Sequence, residues 1–138
     1  MGYRSDVHAV FYTHEDNWPL MKLFFDENFP MEQLGGCVRG LKNGRLRGYY
    51  FLDTDVKWYD SYYEVQAFNV FADKFKEHIY HEENPQPWCY EFVRIGEDDN
   101  DLEVDRDGDH EWLLNPERTV RTEFEEVKHE DEPNETRS

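Results

Sequence analysis

The stretch SYYEVQAFNVFADKFKEHI, residues 61–79, contains the most regular hydrophobic pattern of the chain. Ser61 and Glu64 form an S-x-x-E capping box, in which the two side chains satisfy backbone N–H groups at a helix start. Apolar residues then recur at spacings of three and four, which predicts an amphipathic helix with one buried stripe. Asn84 and Pro85 are expected to end this helix. The stripe consists of Val65, Phe68, Ala72, Phe75 and Ile79.

Two elements are predicted upstream of this helix. DVHAVFY, residues 6–12, alternates between two sets of side chains and predicts the first strand. Asn17 then offers an N-cap, Pro19 is tolerated in a first helical turn, and Pro30 ends the helix. The predicted buried face of this first helix consists of Leu20, Leu23 and Phe24, which are spaced i, i+3 and i+4.

The remaining elements are strands. Residues 31–48 hold five glycines and a Lys-Asn-Gly-Arg turn signal at 42–45, which predicts a loop or a small hairpin. YYFLDTDVKWYD, residues 49–60, predicts a second strand with an interruption at residues 53–55. PWCYEFVRI, residues 87–95, and DLEVDRD, residues 101–107, predict a third and a fourth strand joined by a turn, with one more short strand before Val127.

The resulting order is β-α-β-α-β-β. Helices that connect strands across one face of a sheet predict an α+β two-layer sandwich, ferredoxin-like or a close variant. Residues 1–127 are predicted to form a single α+β domain. Residues 128–138 contain no hydrophobic residue and are predicted to form a disordered acidic tail.

The composition combines an aromatic core with an acidic exterior. The chain has 138 residues, 34% of them charged, but ten Phe, nine Tyr and four Trp indicate a folded protein. The net charge is −17, and twelve of these negative charges fall in residues 97–138. We therefore expect no direct binding to nucleic acid or to a membrane, and attraction to basic surfaces. Cys37 and Cys89 have no metal-site or redox-motif spacing and suit a reducing compartment.

GEDDNDLEVDRDGDHEW, residues 96–112, contains the densest acidic pattern. Alternation with Leu102, Val104 and Arg106 predicts a strand with carboxylates on one exposed face, ~6.6–6.8 Å apart, and the two aliphatic residues buried. Such a row is a plausible imitation of DNA phosphates, and the alternative is an edge strand protected by charge. A calcium-binding EF-hand loop is not expected, because its final glutamate is missing. The four carboxylates are Asp101, Glu103, Asp105 and Asp107.

A second candidate surface is aromatic. Four large rings surround the start of the long helix, and exposed Tyr and Trp residues are typical of protein-binding hot spots. The alternative is that these rings attach the helix to the sheet. They are Trp58, Tyr59, Tyr62 and Tyr63.

No catalytic or metal-binding constellation is complete in the sequence, so we expect no enzyme activity, no cofactor and no metal. His78 and His81, followed by Glu82 and Glu83, have a spacing seen in metal-binding helices but lack ligands from other helices. Asp53, Asp55 and Asp60 resemble acid–base carboxylates only in number, since aspartate is common at strand ends and helix caps.

Three stretches carry a resemblance to a known group of proteins: MGYRSDV at 1–7, KWYDSYYEVQ at 57–66 and YEFVRIGEDDND at 90–101. They resemble small accessory proteins encoded by tailed bacteriophages. The resemblance brings no catalytic residues with it. It implies a role in interaction with the host, either as an inhibitor of a defence system or as a viral product that a host immune protein recognises.

The predicted function is therefore non-enzymatic binding to a host protein with a basic surface, in the host cytoplasm, by a monomer or small homo-oligomer. An alternative is a DNA-mimicking inhibitor of a nucleic-acid-binding enzyme. A remoter alternative is a small metal-dependent enzyme.

Overall fold

The computed structural model describes residues 3–79, 88–98, 100–108, 113–116 and 120–127. The predicted helix end at Asn84 and Pro85 and the predicted tail at 128–138 lie outside these residues. The elements are β1 (Ser5–His14), α1 (Trp18–Asn28), α2 (Met31–Leu34), β2 (Val38–Asn43), β3 (Leu46–Val56), α3 (Tyr63–Ile79), β4 (Cys89–Gly96), β5 (Leu102–Asp107), β6 (Leu114–Pro116), β7 (Val120–Thr122) and β8 (Glu125–Val127).

Six strands form one antiparallel sheet in the order β5-β4-β1-β3-β2-β8. β1 lies near the centre, where Phe11 is opposite both Tyr49 of β3 and Tyr90 of β4. Helices α1 and α3 pack on the face that carries these three rings. The opposite face is covered by chain that follows β5, including Leu113 and Phe124. This arrangement confirms the predicted α+β class.

The predicted buried face of α3 is confirmed. All five residues of the stripe are buried, and Phe71 is buried beside them. The ring centroid of Phe75 lies 5.1 Å from that of Phe11, and that of Phe68 lies 5.1 Å from that of Phe51. These distances are typical of favourable aromatic pairs, so α3 is attached to the sheet by ring contacts along its length.

The predicted buried face of α1 is wrong for two of its three residues, whereas the third, Phe24, is partly buried and packs against the core. Leu20 and Leu23 are 58% and 55% exposed, whereas Met21 and Phe25 are fully buried. Phe25 stacks on Tyr49 with ring centroids 4.0 Å apart, and this contact fixes which side of the helix meets the sheet. Apolar residues surround most of this helix, so the i, i+3, i+4 spacing fits more than one face. In the fold, the face that carries Met21 and Phe25 is the buried one.

The segment predicted as a loop or small hairpin contains a full strand. β2 and β3 form a hairpin whose turn includes Gly44 at φ 56°, as the Asn-Gly signal predicts. At the predicted interruption, residues 53–55, β3 continues but is irregular, because Asp55 has φ 56° and the pairing of β1 with β3 shifts register between Ser5 and Val7. Apart from the four-residue helix α2, the order up to β5 is therefore β-α-β-β-α-β-β, not β-α-β-α-β-β.

The C-terminal part of the domain contains three short strands where one was predicted. β8 extends the sheet beside β2, with Lys42 opposite Glu125 and Leu41 opposite Glu126. The acidic C-terminal third is thereby joined to a basic strand. Within the described residues, the structure contains no helix with the length and hydropathy needed to cross a membrane.

Candidate functional site

A cleft with a volume of about 670 Å³ lies between α3 and the strands β4 and β5. Both candidate surfaces contribute to it. Trp58 and Tyr59 line one end, and Asp101, Glu103 and Asp105 line the side formed by β5. Residues separated by more than forty positions in the chain are thus brought to one site.

The pairing of β5 with β4 determines which way the carboxylates point. Asp105 is opposite Phe92, and Asp107 is opposite Tyr90, and both rings belong to the core under the helices. Directly opposed residues of an antiparallel pair project to the same face. The carboxylates of alternate positions therefore share the helix-covered face of the sheet.

Leu102 and Val104 consequently lie on the other face, and the prediction that they are buried is wrong. They are 45% and 40% exposed, although Ile95 and Val93 opposite them on β4 are buried. The physical reason is position: β5 is the last strand of the sheet, and the chain that covers the second face is centred on β1, β3 and β4. The alternation of the sequence identified which residues lie on the same face of β5, but it did not show which of the two faces is covered.

Arg94 holds two of the carboxylates. Its Nη2 lies 2.8 Å from Asp101 Oδ1, and its Nε donates to Glu103 Oε1 at 3.0 Å. Tyr3 donates its hydroxyl to Asp101 Oδ2 at 2.6 Å. The hydrogen bonds from Arg94 and then from Tyr3 lower the pKa of Asp101 below its ordinary value, so the carboxylate stays charged in mild acid.

Lys76 forms ion pairs with the other two carboxylates, those of Asp105 and Asp107. Its Nζ lies 2.5 Å from Asp105 Oδ2 and 3.7 Å from Asp107 Oδ2, and it sits 5.1 Å from the centre of the Tyr90 ring. Burial opposes the charge on Lys76, but the hydrogen bond and the negative charges of the aspartates outweigh it and raise the pKa of Lys76. The lysine is therefore charged at neutral pH.

The acidic row is thus ion-paired inside the molecule. Each of its four carboxylates lies within 4 Å of the side chain of Lys76 or Arg94. The four carboxylates together with Lys76 and Arg94 have a net charge of about −2, whereas the four carboxylates alone would have −4. A uniform row of unpaired charge, which phosphate imitation requires, is not present.

The four aromatic residues have different environments. Trp58 packs against core rings, with its centroid 5.4 Å from that of Phe68. Tyr59 accepts a hydrogen bond from the backbone N–H of Tyr3 at 2.6 Å. Tyr62 and Tyr63 are 39% and 64% exposed. Trp58 therefore attaches the helix start to the sheet, Tyr59 belongs to the cleft, and the last two remain as surface.

Tyr3 connects the two candidate surfaces, because its backbone donates to Tyr59 while its hydroxyl donates to Asp101. Sequence reasoning did not identify Tyr3, Lys76 or Arg94. Arg94 had a recognisable signal, since it interrupts the otherwise apolar end of a buried strand, where an unpaired charge is costly. Nothing in the local sequence of Tyr3 or Lys76 indicated that they meet β5.

The weaker candidates are dispersed. His78 stacks on Trp88 with ring centroids 4.8 Å apart, while His81, Glu82 and Glu83 lie outside the described residues. Asp53 is hydrogen-bonded to Cys37, Asp55 is in the irregular part of β3, and Asp60 lies at the cleft. In the part of the chain that the structure describes, His, Cys, Asp and Glu side chains form no group of three or more that is arranged to hold a metal.

Comparisons of the chain with protein-family models, curated proteins and solved structures found no match. Fold and site together define an acidic α+β protein with a polar, aromatic-edged cleft beside the last strand of its sheet.

Proposed function

We propose that this protein is a non-enzymatic accessory protein of a tailed bacteriophage that binds a host protein with a basic surface. The observation that carries the proposal is the convergence of Trp58 and Tyr59 with Asp101, Glu103 and Asp105 on one cleft. Aromatic rings provide contact area, and carboxylates provide steering and specificity toward basic partners. We place the interaction at the host defence system, where the protein acts as an inhibitor or is sensed by an immune protein, in the host cytoplasm.

The charge of the cleft supports a basic partner. Five carboxylates line it against the two cations Lys76 and Arg94. A concave site with excess negative charge concentrates field lines and speeds the encounter with a positive surface. The carboxylates that line it are Asp60, Asp73, Asp101, Glu103 and Asp105.

We further propose that the central part of the domain is ferredoxin-like. The order β4-β1-β3-β2 with antiparallel neighbours, and the chain order β-α-β-β-α-β, support this assignment. β5 and β8 would then be additions at the two edges. Folds of this kind carry many unrelated functions, so the assignment adds nothing to the functional argument.

A DNA-mimicking inhibitor is the second candidate, favoured by the placement of three carboxylates on one face of β5, with Asp101 directly before the strand. Their pairing with Lys76 and Arg94 favours protein docking over phosphate imitation. A basic DNA-binding groove remains one kind of surface that the cleft fits, and competition by duplex DNA for the captured partner distinguishes this case.

The test is capture from host lysate by the immobilised protein at low and high salt. The cleft variant carries Asp101→Asn, Glu103→Gln and Asp105→Asn, and the matched control carries Glu27→Gln, Glu32→Gln and Glu77→Gln. Both variants lose three negative charges, and the control residues are exposed on the helices away from the cleft. We expect one partner to be captured by the control and lost by the cleft variant, with binding weakened by salt.

A third variant, Tyr62→Ala with Tyr63→Ala, tests the exposed rings. Loss of capture in this variant alone, insensitive to salt, would replace acidic docking with hydrophobic docking. Equal capture by all variants would refute a role for both surfaces. Melting temperatures of all variants establish that each one is folded.

A further inference from the structure

The outer edge of β5 is a second feature of the same region. β5 is six residues long, ends the sheet among the described strands, and pairs with β4 without a register shift. Sheet edges are usually protected by charged side chains, proline, bulges or shortness. β5 carries charged side chains but has no proline and no bulge, and it is six residues long, whereas the opposite edge strand β8 has only three residues.

The hydrogen-bonding pattern shows which backbone groups face outward. The N–H of Gly96 donates to the carbonyl of Asp101 at 2.9 Å, so this pair faces inward. Inward and outward pairs alternate along an antiparallel ladder. Glu103 and Asp105 therefore direct their backbone groups to β4, and Val104 directs its N–H and C=O away from the sheet.

The two faces of this edge have different chemistry. On one face lie the exposed aliphatic side chains of Leu102 and Val104. On the other face lie the carboxylates of Glu103 and Asp105, whose side chains are 57% and 43% exposed. A strand added beside β5 places alternate residues on these two faces.

We propose that β5 receives an extended segment of the partner as an additional antiparallel strand, in which basic and aliphatic residues alternate. Its aliphatic residues lie against Leu102 and Val104, and its lysines or arginines lie beside Glu103 and Asp105. Strand addition provides affinity through backbone hydrogen bonds and specificity through alternate side chains. This inference rests on the proposed function and specifies how the partner binds.

Charge distinguishes this occupant from a second copy of the chain. Two β5 strands paired with each other would bring the carboxylates of one copy beside those of the other, and opposed like charges destabilise a sheet. The same repulsion applies to any acidic segment. The four carboxylates carry more negative charge than Lys76 and Arg94 neutralise. The lysines or arginines of a basic alternating strand would compensate this excess.

The test uses capped synthetic peptides and the full-length chain. KVKVKVK is compared with KKKVVVK, which has the same composition without alternation, and with EVEVEVE. We expect the alternating basic peptide to bind at least about tenfold tighter than the other two, because only it forms backbone bonds and both side-chain contacts. Equal binding of the two basic peptides would overturn strand addition.

Backbone methylation separates strand addition from charge attraction. In the added strand the valines oppose the residues of β5 whose backbone groups face outward, and the middle valine opposes Val104. The valine N–H groups therefore face β5, and the lysine N–H groups face away. N-methylation of the middle valine should therefore weaken binding about tenfold, and N-methylation of a middle lysine should leave it within about twofold. Equal effects at both positions would refute the proposed geometry.

Variants of the protein give a second readout. Val104→Pro removes the outward N–H, and an edge strand tolerates proline where its N–H faces solvent. We expect it to bind KVKVKVK about tenfold more weakly, and the bound peptide to slow hydrogen exchange of the Val104 amide in the unmodified chain. Unchanged exchange at Val104 in the complex would overturn the proposal even if Val104→Pro does not fold.

The failure of this inference is distinct from failure of the proposed function. A host partner that requires the cleft carboxylates but binds Val104→Pro normally leaves the function standing and removes strand addition. Concentration-dependent dimerisation measured by sedimentation, lost in Val104→Pro, would replace the partner strand with a second copy.

Discussion

Glu91 is the most deeply buried acidic side chain among the described residues, with no exposed surface. It accepts hydrogen bonds from the hydroxyl of Tyr12 at 2.7 Å and from the backbone N–H groups of Leu113 at 2.6 Å and Leu114 at 2.8 Å. Burial raises its pKa, and these hydrogen bonds oppose the rise. One carboxylate thereby joins β4 to the segment that covers the second face of the sheet.

We predict that Glu91→Gln destabilises the protein. The amide oxygen accepts from one backbone N–H, but the NH₂ group then faces another donor, and an unsatisfied buried group costs about 1–3 kcal/mol. Tyr12→Phe is the matched control, because it removes one donor and leaves both backbone bonds, for a loss of about 1 kcal/mol. Urea denaturation measures both, and a Glu91→Gln protein as stable as the native one would contradict the assignment.

The lowered pKa of Asp101 leads us to predict that the protein loses stability in acid. Its folded pKa lies below the ordinary value of 3.8, so the stability that it contributes is present above pH 3.8 and is lost as pH falls through the folded pKa. Protonation releases Arg94 and Tyr3 from their shared acceptor. Stability measured from pH 5 to pH 3 should fall less steeply for Asp101→Asn than for the native chain. If the stability of both chains fell equally steeply with pH, the proposed role of the hydrogen bonds of Asp101 with Arg94 and Tyr3 would be contradicted.

We predict that the thiol of Cys37 reacts slowly with alkylating reagents. Burial, followed by the negative charge of Asp53, raises its pKa from 9.0 to about 11. The thiolate population falls about a hundredfold, and the greater nucleophilicity of a more basic thiolate recovers about tenfold, so alkylation at pH 8 should be about tenfold slower than for an ordinary thiol. Asp53→Asn should accelerate it, and a rate unchanged by that substitution would rule out the electrostatic cause.

At the scale of elements, α3 carries the clearest stability prediction. Phe75→Ala should cost about 3–5 kcal/mol, because it removes a buried ring and leaves a cavity. Val70→Ala on the same helix is the control, since Val70 is 56% exposed and its truncation should change stability by less than about 0.5 kcal/mol. Melting temperatures report both, and a shift of only a degree or two for Phe75→Ala would show that this face is not the core.

The elements also explain which parts of the fold were predictable. α3 has its phenylalanines and most of its aliphatic residues on one side, so their spacing identifies the buried face. α1 has apolar residues around most of its circumference, and only tertiary packing on Tyr49 selects Phe25. β2 was predicted as a loop or a small hairpin because its glycine and charged residues resemble a loop. It pairs with β3 in a hairpin on one side, and on the other side it pairs with β8, which is distant in the sequence.

The candidate site was predictable only in its parts. Alternation identified the carboxylates that share a face of β5, and local composition identified the rings near Trp58. The cations that neutralise the row, Lys76 and Arg94, come from α3 and β4 and meet it only in the fold. Whether a charged row is free or paired depends on such distant contacts, which no local pattern contains.

At the scale of the whole molecule, the described residues form two cores, one on each face of the sheet. The helices close the first. The second includes Val10 of β1 and Tyr50 of β3, and it is closed by Leu113, Leu114 and Phe124, whose ring lies 5.0 Å from that of Tyr50. The segment that carries most of the negative charge is therefore also a structural cover.

We predict that two truncations separate these roles. A chain ending at residue 127 should melt within about two degrees of the full chain, because residues 128–138 contribute no hydrophobic side chain. A chain ending at residue 112 should not fold cooperatively, because it exposes Val10 and Tyr50 and removes the donors to Glu91. Calorimetry measures both. A cooperative transition in the 1–112 chain would show that the helix-covered core suffices, and the acidic third would then be an appendage rather than part of the fold.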